Sequence, residues 1–309
     1  MRALVLGGTG AVGTAVASAL EARGHVALRG SRRAPNGPSG VQLDLASEAG
    51  RARMREVARS CDVVIDASGR EDPAIARDLT GVPYVDTSAN TAYLAALRSA
   101  AGVATLVLGA GIAPGASTIL AAATDPRPGD DIDISVLLGT GEVHGPAAVE
   151  WTAALAGTAV YAAPETAPVL NYRERRRIQI DGKARTHLRT DFPDHLLLDA
   201  AGARIRTYLT LGSPLATAGL ALVGAVPALR GILAAAPHWG DDKWRVAATN
   251  RRTGVSLAAS GFGQSRATGE LAALAGIQAA ERPDLGAVTM ANLFGTEVFD
   301  EAASVTSRR

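Results

Sequence analysis

The chain has 309 residues and carries 31 Lys or Arg against 30 Asp or Glu, a formal net charge of +1. A balance so near neutral gives no general attraction to nucleic acid or to an anionic membrane, and 47% hydrophobic with 20% charged residues excludes a disordered chain. Cys61 is the only cysteine, so no intrachain disulfide can form and a reducing, cytoplasmic setting is expected.

The length suits two domains. The first residues, "MRALVLGGTGAVG", do not read as a signal peptide, because a short apolar run turns straight into a glycine loop. "RALVLG" (2–7) is predicted as a strand and "AVGTAVASALEARG" (11–24) as an amphipathic helix. "HVALRG" (25–30) and "VQLDL" (41–45) are predicted strands, separated by a loop rich in Pro, Gly and Asn. A helix follows from Ser47 to Arg59. "DVVIDAS" (62–68), "PYVDTS" (83–88) and "ATLVLGAG" (104–111) are further strands with helices between them. Short apolar runs alternating with helices predict a parallel sheet covered on both faces, and right-handed crossovers make it doubly wound.

Gly8-Thr9-Gly10-Ala11-Val12-Gly13 is a G-x-G-x-x-G placed directly after a strand and opening a helix, the fingerprint of a dinucleotide-binding domain. In that reading Gly8 permits the tight turn and Gly10 lets the backbone approach a pyrophosphate at the positive end of the helix. Gly13 allows close packing of helix on strand. At the end of the second strand an acidic residue would bind both ribose hydroxyls and select NAD. This chain has Ser31, Arg32 and Arg33 there instead. A hydroxyl and two guanidiniums suit a 2′-phosphate, so NADP(H) is the expected cofactor. The alternative is a solvated pair of loop arginines. Asp44 and Leu45 would lie near the adenine. Ala67, Ser68 and Gly69 would lie by the ribose and nicotinamide, as would Ser88. Each of these also fits ordinary turn chemistry.

Beyond "GAGIAPGAS" the pattern changes. "DIDISVLLGTG" (131–141) is a predicted strand and "PAAVEWTAALAG" (146–157) a helix. "APVLNYRERRRIQIDG", "RIRTYLTLG", "KWRVAATN" and "GVSLAASGFG" then follow as strands joined by turns, and "SRATGELAALAGIQAAE" (265–281) is a last long helix. Strands in succession predict a mostly antiparallel sheet. The expected architecture is an α/β protein: a doubly wound Rossmann domain over 1–115, completed by about 265–309, and an α+β substrate and dimerisation domain over 116–264. The apolar stretch 214–237 is nearly bilayer length, but Pro227 and Arg230 interrupt it, so a buried or interface helix pair and a homodimer are expected, without membrane insertion.

The segments "GGTGAVG", "DVVIDASG", "YVDTSAN", "GAGIAPGAS" and "GFGQSRATGELAALAGIQA" together resemble the saccharopine-dehydrogenase-like oxidoreductases, a group that includes the trans-acting enoyl reductases of lipid biosynthesis. "VPALRGILAAAP" followed by "GFGQSRATGE" is similar to the C-terminal layout of those reductases. The resemblance implies an NADP-binding domain, an inserted α+β domain, and hydride transfer to or from a C=N, C=C or C=O bond. One departure is Ala89-Asn90, where the family often has Gly-Glu.

Tyr-x-x-x-Lys, the proton donor of short-chain dehydrogenases, is missing from the sequence. The candidate general acid is His144, with Glu142 orienting it or binding a substrate amine, in the glycine-flanked turn of "LLGTGEVHGPAAVEW". The alternative is that Glu142 supports the turn and His144 caps the next helix. His187, His195 and His238 have no neighbour at metal-ligand spacing, so no metal site is expected. Tyr93, Tyr172 and Trp151 read as core. Alternation on a strand would put Arg173, Arg175 and Arg177 on one face, either a solvated sheet face or a docking face for an acidic carrier protein. The expected activity is NADPH-dependent reduction of an imine formed from an amino compound. The alternatives are reduction of a carrier-bound acyl group at C=C or C=O, and a non-catalytic NADP(H) sensor.

Overall fold

The computed structural model describes residues 1–33, 37–100, 104–142, 146–180, 182–198, 202–234 and 240–308. The elements run β1 (Arg2–Leu6), α1 (Ala11–Glu21), β2 (Val26–Ser31), β3 (Gly40–Gln42), α2 (Glu48–Ala58), β4 (Val63–Asp66), α3 (Pro73–Arg77), β5 (Tyr84–Asp86), α4 (Thr91–Arg98) and β6 (Thr105–Leu108). Next come α5 (Ala116–Ala123), β7 (Asp131–Leu138), α6 (Pro146–Ala154), β8 (Arg175–Ile180), β9 (Lys183–Arg189), α7 (Asp194–Leu197), β10 (Arg204–Leu211) and α8 (Pro214–Ala225). After a 3₁₀ turn at Pro227–Arg230 the chain forms α9 (Gly231–Ala234), β11 (Lys243–Asn250), β12 (Ser256–Phe262), α10 (Gln264–Glu281), β13 (Gly286–Thr289), α11 (Met290–Leu293), α12 (Val298–Glu301) and β14 (Val305–Arg308).

The chain divides into two compact units. The first is Met1–Ala116 with Ser265–Phe294, and the second is Ser117–Gln264 with Gly295–Arg309. In the first unit one seven-stranded sheet has the order β13-β6-β5-β4-β1-β2-β3, and every pairing is parallel. Parallel strands need crossovers, so helices cover both faces and the strands carry unbroken apolar runs. All four residues of β4 and of β6 are buried. The direction of winding reverses between β1 and β4, and ligands in such sheets bind beyond the strand C-termini at that reversal. On this unit, α10 lies close against α1: a Cβ on Gly269 would stand 2.5 Å from the Cβ of Ala15.

The second unit has a seven-stranded sheet of order β14-β12-β11-β7-β10-β9-β8. Five of its six pairings are antiparallel and β7–β10 is parallel, so the sheet is mixed. Ile132, Ile134 and Val136 of β7 and Trp244 and Val246 of β11 are buried. Asp131 and Asp133 alternate with the buried isoleucines on β7. Asp133 receives both Arg176 and Arg251, and Asp131 receives Arg204 and Arg206.

Three expectations need correction. Residues 295–309 do not complete the first unit, because β14 pairs antiparallel with β12 in the second sheet. The predicted strand "APVLNYRERRRIQIDG" begins only at Arg175, since Tyr172 adopts a left-handed backbone (φ 65°) that breaks extension just before it. Arg173 therefore does not share a strand face with Arg175 and Arg177; its guanidinium donates to the carbonyl of Ala225 (3.1 Å). Among the described residues no helix is long and apolar enough to cross a membrane.

Candidate functional site

The glycine loop joins β1 to α1. Gly7, not Gly8, takes the left-handed conformation (φ 72°) that makes the turn. It also lies against the loop after β4, where a Cβ would stand 2.5 Å from the carbonyl oxygen of Ala67. Gly8 is needed for a different reason: its Cβ would be 2.8 Å from the Cα of Arg29 on β2. A Cβ on Gly13 would collide with the carbonyl oxygen of Gly7, so the helix could not dock on the turn. Thr9, Gly10 and Ala11 are exposed.

The start of α1 is electrostatically open. Its N-cap is Gly10, no side chain caps it, and its first turn has no acidic residue. By contrast Ser47, Asp72 and Asn90 cap α2, α3 and α4 through their side chains. The first-turn amides of α1 thus keep their donors and the positive end of the helix for an anion. The arrangement fits the pyrophosphate of a dinucleotide.

Ser31 closes β2, and Arg32 and Arg33 follow it, both exposed. The Ser31 hydroxyl donates to the carbonyl of Arg33, and the Gln42 amide donates to the carbonyl of Arg32 (3.2 Å), which fixes the turn by its backbone. Among the described residues neither guanidinium has a carboxylate partner. Arg29, on the strand itself, is instead paired with Glu21 (2.9 Å). Asp44 is exposed and serves its own turn, accepting the amide of Ala46 (3.1 Å) while its carbonyl accepts the Ser47 hydroxyl (3.0 Å). Leu45 is buried.

At the reversal point, β4 and β5 end in the same tripeptide pattern, Asp66-Ala67-Ser68 and Asp86-Thr87-Ser88. The amide of Ser68 donates to Asp66 Oδ1 (2.8 Å), and the amide of Ser88 donates to Asp86 Oδ1 (2.7 Å). The second carboxylate oxygen of each takes a buried phenol: Tyr84 donates to Asp66 (2.6 Å) and Tyr93 to Asp86 (2.9 Å). Burial pushes both carboxyls up. Asp86 reaches about 8 through burial and then the nearby charge of Asp66. Above them, Glu71 accepts the Ser88 hydroxyl (2.7 Å) and the Asn90 side-chain amide (2.5 Å), tying the loop after β4 to the loop after β5. A carboxylate thus reaches Asn90 from the neighbouring loop, at the place where the sequence departs from Gly-Glu.

In the second unit, Glu142 Oε2 accepts the backbone amide of Gln264 (2.6 Å), at the first residue of α10. The Gln264 side chain donates to the carbonyl of Gly139 (2.9 Å), so the turn after β7 is fastened to that helix start. His144 lies outside the described residues, as does His238. Both ring nitrogens of His195 face carbonyls, those of Phe192 (3.1 Å) and Tyr161 (2.8 Å). Trp151 stacks edge-on against Phe192, and the Tyr172 hydroxyl donates to the carbonyl of Thr152. No group of side chains among the described residues is arranged to hold a metal ion.

The family model described as NAD dependent epimerase/dehydratase family matches residues 3–125. The match and the strand order agree: this part of the chain has the fold of a nicotinamide-dinucleotide-binding domain. Direct sequence comparison finds no match among curated proteins. Among solved structures, an engineered D-amino acid dehydrogenase bound to NADP+ aligns at 14% identity over 95% of this chain and 94% of that one, with a TM-score of 0.49. The diaminopimelate (DAP) dehydrogenase of C. glutamicum in complex with DAP gives the same values. A dipicolinate-bound dihydrodipicolinate reductase from Paenisporosarcina sp. TG-14 aligns at 12% identity over 95% and 99%, with a TM-score of 0.42.

Sequence reasoning missed Asp66, Asp86 and Glu71. The repeated Asp-x-Ser at two successive strand ends was a usable signal, since short polar residues there satisfy loop amides. Tyr93 is buried, as expected of a core residue, but its hydroxyl is committed to Asp86.

Proposed function

We propose that the protein is an NADPH-dependent reductase that transfers a hydride to the C=N bond of a small substrate derived from an amino compound. The observation that carries the cofactor reading is the pair of exposed arginines, Arg32 and Arg33, directly after β2 with no carboxylate partner among the described residues. Charge-assisted bonds from guanidiniums to a 2′-phosphate are the strong ones, and an acid at this position would repel that phosphate. Gly8 to Gly13 and the open end of α1 would hold the pyrophosphate, with Ser31 beside the 2′-phosphate. The loops of Ala67 to Gly69 and of Ser88 would lie along the ribose and nicotinamide. When bound, the dinucleotide supplies the hydride.

Addition of hydride to an imine carbon leaves a nitrogen that must gain a proton, so a donor near neutral pKa is required. We assign that role to His144, with Glu142 as the group that orients it. The resemblance of the glycine, "VDTSAN" and "GFGQSRATGE" segments to saccharopine-dehydrogenase-like oxidoreductases admits C=N, C=C or C=O, and C=N is our first choice among them. A second reading, reduction of a carrier-bound acyl group, draws on Arg175 and Arg177, both exposed on one face of β8. The exposed Leu215, Leu222 and Val226 along α8 and its end support a homodimer. The test is a single-turnover screen: NADPH oxidation at 340 nm with cyclic imines, with keto acids plus ammonia, and with enoyl and 3-oxoacyl thioesters. Oxidation with imines that fails in His144→Gln supports the reading. Oxidation only with acyl thioesters would replace it by the second.

A further inference from the structure

The second unit contains a cavity of ≈ 300 Å³ bounded by the β8–β9 hairpin, the end of β10 and one side of α8. Its walls are of two kinds. Leu188, Leu211, Pro214 and Ala221 make an apolar lining, and Arg175 brings a cation to it. None of its lining residues is acidic. The volume lies at the lower end of small-molecule sites, enough for a compact metabolite and too small for a dinucleotide.

Strand geometry explains why this cation is available. Arg175 pairs in register with Leu188, and Arg177 with Thr186, so each pair shares a face of the sheet. Leu188 and Thr186 line the cavity, which puts Arg175 and Arg177 on the cavity side. Arg176 between them points to the opposite face, where Asp133 neutralises it (2.8 Å). Arg175 and Arg177 are exposed and have no carboxylate partner among the described residues. Arg185, between Ala184 and Thr186 on β9, also points to that opposite face, and its guanidinium donates to the carbonyl of Gly212 (3.2 Å). The hydroxyls of Thr210 and Thr217 are bonded to each other (3.2 Å), so that part of the wall asks nothing of a ligand.

We propose that this cavity binds a small amphiphilic anion, a carboxylate or phosphate monoester on a short aliphatic body. Arg175 holds the head group, with Arg177 beside it on the same strand face, and the body lies over Leu188 and Leu211. The site belongs to the second unit alone and does not depend on the cofactor reading above.

The test is calorimetric titration of the full chain with hexanoate and hexyl phosphate, with hexanol and inorganic phosphate as controls. The expected result is saturable binding of one hexanoate or hexyl phosphate per chain, the tighter of the two identifying the head group, and both controls weaker by about tenfold or more. Arg175→Ala, at an exposed position, weakens the anion by about tenfold, the scale of one charge-assisted hydrogen bond. Ala218→Phe, on the lining of α8, abolishes binding while circular dichroism stays unchanged. Failure of both anions to bind, binding of hexanol as tight as hexanoate, or binding untouched by Ala218→Phe would each overturn the proposal. NADPH titration of the same variants is expected to be unchanged, which separates this site from the first unit.

Discussion

Asp66 and Asp86 stand in register at the ends of adjacent parallel strands, both buried, and each receives a phenol hydroxyl and a loop amide. Two carboxylates so placed cannot both ionise at little cost, and Asp86 holds its proton up to about pH 8. An unfolded aspartate titrates near 3.9. Between these values the native state binds the proton that the unfolded state has lost, so stability falls as pH rises from about 4 to about 8 and is level above that. His187 acts in the opposite direction. Burial lowers it to about 4, so its neutral form costs stability only as pH falls below about 6.5. Between pH 6.5 and 8 the carboxylate pair dominates. Urea unfolding of wild type and Asp86→Asn across that window is expected to show a wild-type slope of up to about 1.4 kcal/mol per pH unit that flattens in the variant. Parallel pH curves would remove the proton from this pair.

The glycines of the first loop divide by function. Gly13→Ala forces a Cβ into the Gly7 carbonyl and is expected to cost about 1–3 kcal/mol in thermal or chemical unfolding. At Gly10 an added Cβ meets only that carbonyl, at 3.3 Å, and the backbone is extended (φ −77°). Gly10→Ala should therefore fold within about 1 kcal/mol of wild type, yet weaken dinucleotide binding on the order of tenfold because the methyl occupies the pyrophosphate approach. Equal losses of stability in the two variants would contradict this division.

Glu142 accepts the Gln264 amide at the start of α10. Gln keeps an oxygen there and Ala does not. Glu142→Ala is expected to cost about 1 kcal/mol, the scale of a helix cap, with Glu142→Gln near wild type in Tm. If Glu142 also orients His144, the Gln variant still loses turnover by an order of magnitude or more. Turnover unchanged in Glu142→Gln would remove the residue from the reaction.

Asp133 is the common acceptor of Arg176 and Arg251 on the second sheet. Both arginines are partly exposed, so solvent screens them once the acid is gone. Asp133→Ala is expected to destabilise by about 1–3 kcal/mol in chemical unfolding. A triple variant that also replaces Arg176 and Arg251 with Met should recover part of that loss.

The first unit was legible because parallel strands buried on both faces appear as unbroken apolar runs, such as "LVL", "VVI" and "TLVL", with helices between them. Its glycine loop was equally visible, although the turn conformation proved to belong to Gly7. What the sequence hid was longer in range. That "SVTSR" near the C-terminus would pair with β12 depends on contacts no local pattern encodes. The strand-end carboxylates were concealed by appearance: Asp66 and Asp86 sit inside strands and look like loop caps. Only the register of β4 and β5 sets them side by side.

The measurement that tests the central claim most directly is fluorescence titration of NADPH and NADH into wild type and into Arg32→Ala/Arg33→Ala. The account predicts a wild-type preference for NADPH that collapses in the double variant, with NADH affinity unchanged. Each guanidinium bond to the 2′-phosphate contributes about 1.5–3 kcal/mol, so removing both should cost at least about a hundredfold. NADH binding as tightly as NADPH to wild type, or a preference that survives removal of both arginines, would contradict it.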